Sequence, residues 1–289
     1  ELFGVPGNIL PGIRSSAEVY GHTKNVPGLP DGIPISGMAG DQQSALFGQA
    51  CFQPGEAKIT YGTGAFLLVN IGSKPVKSSN KLLTTVAWKI GDEVTYALEG
   101  SAFIAGAAVQ WLRDGLQMID TVPEIESLAE QVEDCGGVVF VPAFVGLGAP
   151  HWRPSSRGAI LNMTRGTTKA HIARACLEGI ALQNCDLLTA MAQDRGEPVT
   201  RLKVDGGACK NNLLMQMQAD FAGVEVVRPE HVETTSFGAI FLAGLGAGIW
   251  ESTEVIAEKW SRDRSFSPSG DREGKNAALA RWNDALSRI

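Results

Sequence analysis

Residues 38–70 read MAGDQQSALFGQACFQPGEAKITYGTGAFLLVN, and two features of this stretch could do chemistry. Asp41 opens an apolar helical pattern over 41–49 that includes Ala45, Leu46 and Phe47. Gly62-Thr63-Gly64 joins two β-rich runs. A carboxylate held at a helix start can take a proton from an alcohol. A threonine turn flanked by glycines lets backbone amides approach phosphate oxygens. Both are parts that phosphoryl transfer needs. Asp41 is equally an N-cap for its own helix, and the two roles require the same placement. The Gly62–Gly64 turn is equally an ordinary hairpin connection.

Downstream, an expected strand runs into Asp205-Gly206-Gly207, ahead of Asn211 and a helix. That arrangement is either a tight turn or a place for a nucleotide to lie on bare backbone, with Asn211 donating from the helix start. Gly106 and Gln110 stand one helical turn apart and could form an opposing wall, or serve packing and surface. Leu213, Leu214, Met215 and Met217 read as core. Neither GxGxxG nor GxxxxGK[ST] occurs, which disfavours a Rossmann fingerprint and a P-loop.

These residues need elements to hold them. Residues 1–32, rich in Gly and Pro, predict loops and short pieces. A buried strand at 33–39 leads into Asp41. Strands at 58–62 and 65–71 form a hairpin about Thr63, and strands at 83–90 and 94–99 form another turned by Gly91-Asp92. Helices follow at 102–112 and 124–132, then a strand at 137–144. The Gly/Pro-rich stretch 145–157 exceeds most connections and reads as a functional or lid-like loop. Strands at 158–163, 201–204 and 224–228 alternate with helices at 169–193, 211–222 and 235–248, before two terminal helices. Hairpins followed by strand–helix alternation give an α/β domain with a mixed sheet flanked by helices.

The composition narrows the class further. Of the 289 residues, 44% are hydrophobic and 19% charged, the balance of a globular chain. A net charge of -6 argues against nucleic-acid partners. The run FGAIFLAGLGAGIW at 237–250 is too short and glycine-laced to span a bilayer, so no membrane insertion is expected. Five scattered cysteines without CxxC spacing read as reduced core thiols of a cytoplasmic protein. The four histidines lack ligand spacing and read as surface or capping residues. The chain opens Glu-Leu-Phe-Gly without an initiator Met, as a piece cut from a longer polypeptide would.

Taken together, MAGDQQSALFGQ, TYGTGAF, YALEGSAFIAGAAVQWLRD, VPAFVGLGAPHW, RGAILNMTRGT and VDGGACKNNLLMQ resemble the glycerol kinases of the FGGY carbohydrate kinase family, over residues 37–250. The resemblance implies the ribonuclease-H-like fold shared with actin and Hsp70. It implies ATP-dependent phosphorylation of glycerol to glycerol 3-phosphate, with Mg²⁺ accompanying ATP near Asp41, in a cytoplasmic protein that is homo-oligomeric at full length. Residues 1–48 would end the first, substrate-side domain, and 49–289 would form the second, nucleotide-binding one. The fragment alone would lack the first domain's phosphate loop and glycerol grip, and be inactive.

Residue by residue, the resemblance makes Asp41 the catalytic base, with Gln42 beside it and Phe66 packing on the glycerol carbon chain. It places Thr63 at nucleotide phosphate, and Gly106, Gln110, Gly207 and Asn211 at ATP. Alternatives are another polyol or ketose kinase of the family, such as a xylulose or ribulose kinase, or a nucleotide-binding module without catalysis. Three departures stand out. Asn162 replaces a usual glycine and tolerates a left-handed backbone. His151-Trp152-Arg153 replaces an aromatic-Trp-Asp run. The 24–32 segment, KNVPGLPDG, lacks the arginine of the family's fructose 1,6-bisphosphate loop, so a weak or absent response to that effector is expected.

Overall fold

The computed structural model describes residues 3–289. A hairpin of β1 (Ala17–His22) and β2 (Pro34–Gly37) leads into α1 (Asp41–Gly48). Four strands follow: β3 (Ala57–Tyr61), β4 (Ala65–Gly72), β5 (Leu83–Ile90) and β6 (Glu93–Ala102). Next come α2 (Gly106–Asp114), α3 (Glu124–Ala129), the short pair β7 (Val139–Val141) and β8 (Ala159–Leu161), and the long α4 (Lys169–Arg195). The chain closes with β9 (Arg201–Asp205), α5 (Asn212–Ala222), β10 (Glu225–Pro229), α6 (Thr234–Gly246), α7 (Thr253–Ala257), β11 (Arg262–Phe266) and α8 (Arg272–Ser287).

Seven strands form one sheet in the order β11-β10-β9-β3-β4-β6-β5. Strands β10, β9 and β3 run parallel, and the remaining neighbours are antiparallel. Side chains alternate across a strand, so each of β3 and β9 presents one set of residues per face. Ala57, Ile59 and Tyr61 of β3 and Leu202 and Val204 of β9 enter the main apolar core, which contains residues of α2, α4 and α5. The opposite face carries Lys58 and Thr60 of β3 and Lys203 and Asp205 of β9, and is covered by α1 and α6. This second face is therefore partly polar and partly apolar; Leu46, Phe47, Leu68, Trp88 and Leu242 supply its apolar part.

The structure corrects several expectations. Residues 17–22, expected as loop, form a strand paired with β2. The helix expected at 102–112 begins only at Gly106, because Ala102 completes β6 opposite Ala65. Between the last two helices lies β11, whose RDRSF sequence suits a charged edge strand rather than a helix. The 145–157 segment is a brace and not a lid. His151 Nε2 and Trp282 Nε1 each meet Asp186 Oδ2 at 2.9 Å, Trp152 Nε1 donates to the Lys81 carbonyl at 2.8 Å, and Arg153 donates to the Leu286 carbonyl at 2.7 Å. The replaced aromatic-Trp-Asp run thus anchors the segment to α4 and α8. Asn162 has φ 62°, the left-handed backbone its position demands.

All five cysteines are free and buried. His171 closes the start of α4, its Nδ1 accepting from the Thr168 amide at 3.2 Å, which is the capping role expected of a histidine here. Among the described residues no group of three His, Cys, Asp or Glu is placed to hold a metal ion, and no helix is long and apolar enough to cross a membrane.

Candidate active site

Strands β3 and β9 lie side by side and parallel, with Thr60 paired to Asp205. Both end at the same edge of the sheet, so the turns that follow, Gly62–Gly64 and Gly206–Gly207, open next to each other. In open α/β sheets this carboxyl edge is where ligands bind. The two turns touch. Gly206 has φ 83°, and a Cβ there would run into the Tyr61 carbonyl. Only glycine satisfies both constraints.

The Thr63 turn also seats α2. The amides of Gly106 and Ala107 donate to the carbonyls of Gly62 (3.0 Å) and Thr63 (3.1 Å). A Cβ on Gly106 would stand 2.5 Å from the Gly62 oxygen, which explains a glycine at the helix start. Helix α5 is closed in a similar way. Asn211 is its N-cap, with Oδ1 accepting from the Leu214 amide at 2.7 Å. Glu126 of α3 accepts from the amides of Asn212 (2.9 Å) and Leu213 (3.1 Å). Both helix starts are therefore occupied by protein acceptors, and neither is left as an anion site by itself. Thr63 is exposed, and its carbonyl accepts from the amides of Ala105 and Ala107 at the start of α2.

A cavity of about 140 Å³ opens at this junction, with Gly106, Gly207 and Asn211 among its walls. Val109, Ile125 and Leu214 give it an apolar lining, and Glu126 and Lys210 stand at its polar rim. Three of the four residues expected at ATP thus share one cavity. Gln110 does not line it; the side chain is exposed, one turn further along α2. A Cβ on Gly207 would meet nothing within 4 Å, so bare backbone faces open space at that wall. The cap uses the Asn211 oxygen and leaves its NH₂ group as the donor.

Asp41, Gln42 and Phe66 form a second group, on the α1 face. The N-cap of α1 is Gly40, with extended φ -64° and ψ 159°, and Asp41 is the first helical residue. The reading of Asp41 as N-cap is thereby corrected. Oδ1 of its exposed carboxylate accepts from the adjacent Gln42 amide at 2.7 Å. Gln42 Nε2 lies 3.5 Å from Asp41 Oδ2, and Gln42 Oε1 accepts from Lys58 Nζ. Lys58 also donates to Thr60 Oγ1 (2.7 Å) and reaches the Phe66 carbonyl (3.5 Å). The lysine thus ties the start of α1 to the start of β4.

Lys58 is fully buried, and burial pulls its pKa down to about 8, against the opposing attraction of Asp205, Cys51, Glu99 and Asp41. Burial raises the carboxyl of Glu99, an effect that Lys58 opposes and Asp41 reinforces. The neighbouring network is also dry. Asp205 Oδ2 accepts from Gln49 Nε2 (2.8 Å) and Thr234 Oγ1 (2.7 Å), and Lys203 donates to the carbonyls of Gln49 (2.7 Å) and Ala50 (3.2 Å). Glu126, Lys58 and Asp205 were not singled out from sequence as a site cap, a tether and a buried anchor. For Lys58 and Lys203 a signal exists in the sequence: charges alternating with apolar residues in AKITY and RLKVD, which put both lysines on one face of their strands.

The FGGY family of carbohydrate kinases, C-terminal domain, matches residues 57–247. A glycerol kinase of Myxococcus xanthus is 60% identical over 289 residues, covering 99% of this chain and 58% of the relative. A Bdellovibrio bacteriovorus glycerol kinase is 54% identical, covering 59% of its own length. The chain therefore spans under two thirds of the curated relatives it matches. A crystal structure of Plasmodium falciparum glycerol kinase with ADP superimposes with TM-score 0.90 at 42% identity, over 97% of this chain and 56% of that one. A xylulose kinase from Rhodospirillum rubrum, at 21% identity and TM-score 0.83, shares the fold. The actin/Hsp70-like sugar-kinase fold, the glycine turns at the carboxyl edge and the family match agree, and the chain belongs to the FGGY family of carbohydrate kinases.

Proposed function

We propose that this chain is the nucleotide-binding portion of an enzyme that phosphorylates glycerol to glycerol 3-phosphate with ATP. The observation that carries the reading is the junction of β3 and β9, where Gly106, Gly207 and Asn211 line one cavity beside the Thr63 turn. Identity of 60% to a glycerol kinase, against 21% to a xylulose kinase, favours glycerol over a ketose.

In this reading the nucleotide base and ribose lie in the cavity between α2 and α5, and the phosphates run toward Thr63. Asp41, exposed and with Oδ1 fixed by the Gln42 amide, accepts the proton of the attacking hydroxyl. Gln42 and Phe66 form the wall against the polyol. Gln110, exposed beyond the cavity, would reach the nucleotide only on closure. Mg²⁺ would come with the phosphates and offset their charge, near Asp41.

Residues 1–48 would close a substrate-side domain and 49–289 form the nucleotide side, a division supported by the family match beginning at residue 57. A cytoplasmic, self-associating full-length protein is part of the same proposal. The deciding experiment is ADP release by the full-length protein with glycerol, xylulose or ribulose as acceptor. Glycerol should dominate; a stronger response to either ketose overturns the assignment.

A further inference from the structure

Gln42 stands between two groups of opposite character. An ammonium has only donors and a carboxylate only acceptors. Lys58 Nζ can therefore face only the oxygen of the Gln42 amide, and does so. The NH₂ end must then point the other way, and it lies 3.5 Å from Asp41 Oδ2. Left alone, a glutamine amide can turn over, because its two ends have the same shape. Here the buried lysine removes that freedom. Lys58 is itself immobilised, with no exposed surface and further acceptors in Thr60 and the Phe66 carbonyl. Among the described residues it forms no ion pair that would explain it as a structural charge.

We propose that Lys58 is a positioning residue for the acceptor substrate: it fixes the Gln42 amide so that its NH₂, and not its oxygen, faces Asp41 and the substrate hydroxyl. A hydroxyl surrendering its proton to Asp41 must accept any other hydrogen bond through its oxygen, so only the NH₂ end of Gln42 can serve it. Through the Phe66 carbonyl the same ammonium holds the apolar wall of the polyol site in register with that amide. The inference deepens the proposed function and rests on it for the identity of the acceptor.

The test is a set of variants of the full-length protein assayed by ADP release. Lys58→Met should raise KM for glycerol at least tenfold and leave KM for ATP within twofold. Gln42→Ala should give a similar rise, and the double variant should match Gln42→Ala alone. Equal effects on both substrates, or multiplying effects in the double variant, overturn the proposal. Gln42→Glu keeps an acceptor for Lys58 and loses the NH₂ donor, so it should stay folded yet behave as Gln42→Ala; unchanged KM for glycerol would sink the idea even if Lys58→Met fails to fold. A substrate-independent reading comes from the side-chain amide pair of Gln42 in a ¹H–¹⁵N spectrum of the full-length protein. It should be a single sharp pair that broadens or shifts in Lys58→Met. An unchanged pair refutes the positioning role, whereas no turnover on glycerol by the unsubstituted protein refutes only the proposed substrate.

Discussion

Thr60 and Asp205 face each other across the parallel pair of β3 and β9, so both strands end level and release their turns side by side. Every other part of the nucleotide junction is hung on that alignment: α2 on the carbonyls of Gly62 and Thr63, α5 on the turn that follows Asp205. A one-residue slip between the two strands would turn the side chains of one of them to the opposite face and displace its turn along the edge.

Replacing Asp41 with Asn in the full-length protein keeps the shape and removes the base. Turnover should fall about 10²- to 10⁴-fold, the usual contribution of a positioned general base. ADP affinity, measured by calorimetry, should hold. Near-normal turnover would refute the base assignment.

The two cavity glycines should separate fold from binding. Gly106→Ala puts a carbon 2.5 Å from the Gly62 carbonyl and must shift α2, so both melting temperature and ADP affinity should drop. At Gly207 the added carbon meets no protein atom within 4 Å and projects into open space. Gly207→Ala should therefore melt as the parent does and bind ADP at least tenfold more weakly. Unchanged binding would move the nucleotide away from this wall.

Much of this was legible in the sequence, and the division has a physical basis. The places of Asp41, Thr63, Gly207 and Asn211 could be read because they depend on local backbone: a helix start, a glycine turn, a strand end. Glu126 could not, because its function is to cap a helix that begins 86 residues later. The strands at β3 and β9 could be read, and the burial of Lys58 and Lys203 could not. Period-2 patterning reports which side chains share a face, and says nothing of what covers that face. Edge strand β11 was missed for a related reason, since its exposed charged sequence carries no core signal.

Glu126→Ala should cost about 1 kcal/mol of stability, typical for loss of a side-chain acceptor at a helix N-terminus. Chemical denaturation should show a lower midpoint with unchanged slope. Glu126→Gln, which keeps an acceptor oxygen, should lose less. An unaltered midpoint in Glu126→Ala would mean that water replaces the carboxylate without penalty.

The thiols should be inert in the native protein. Burial raises Cys135 to about 11 and Cys51, Cys185 and Cys209 to about 12, and pushes Cys176 further up. At neutral pH almost no thiolate exists to react. A disulfide exchange reagent should therefore detect none of the five quickly in the folded chain and all five after denaturation. Rapid labelling of any native cysteine would show that local opening exposes it.

Lys58 gives stability a pH dependence with a definite sign. Its folded pKa, about 8, lies below its ordinary value of 10.5. Between these values the unfolded chain binds a proton that the folded chain does not, so this residue makes stability rise with pH across the window. Below pH 8 both states carry the charge and its full burial cost is present. The stability gap between Lys58→Met and the parent should therefore shift in the parent's favour from pH 8 to about 10.5, read from melts of both. A constant gap would show that the ammonium is not desolvated.

The polar seat beneath α1 has a mechanical meaning. An oily interface lets a helix slide, since one methyl contact is much like the next. The seat under α1 is indexed instead: Gln42 engages Lys58, Gln49 engages Asp205, and Lys203 holds the carbonyls at the helix end. Directional bonds have one good register, so α1 is keyed at both ends, its start to Lys58 and its last turn to the aspartate that precedes the Gly206–Gly207 turn.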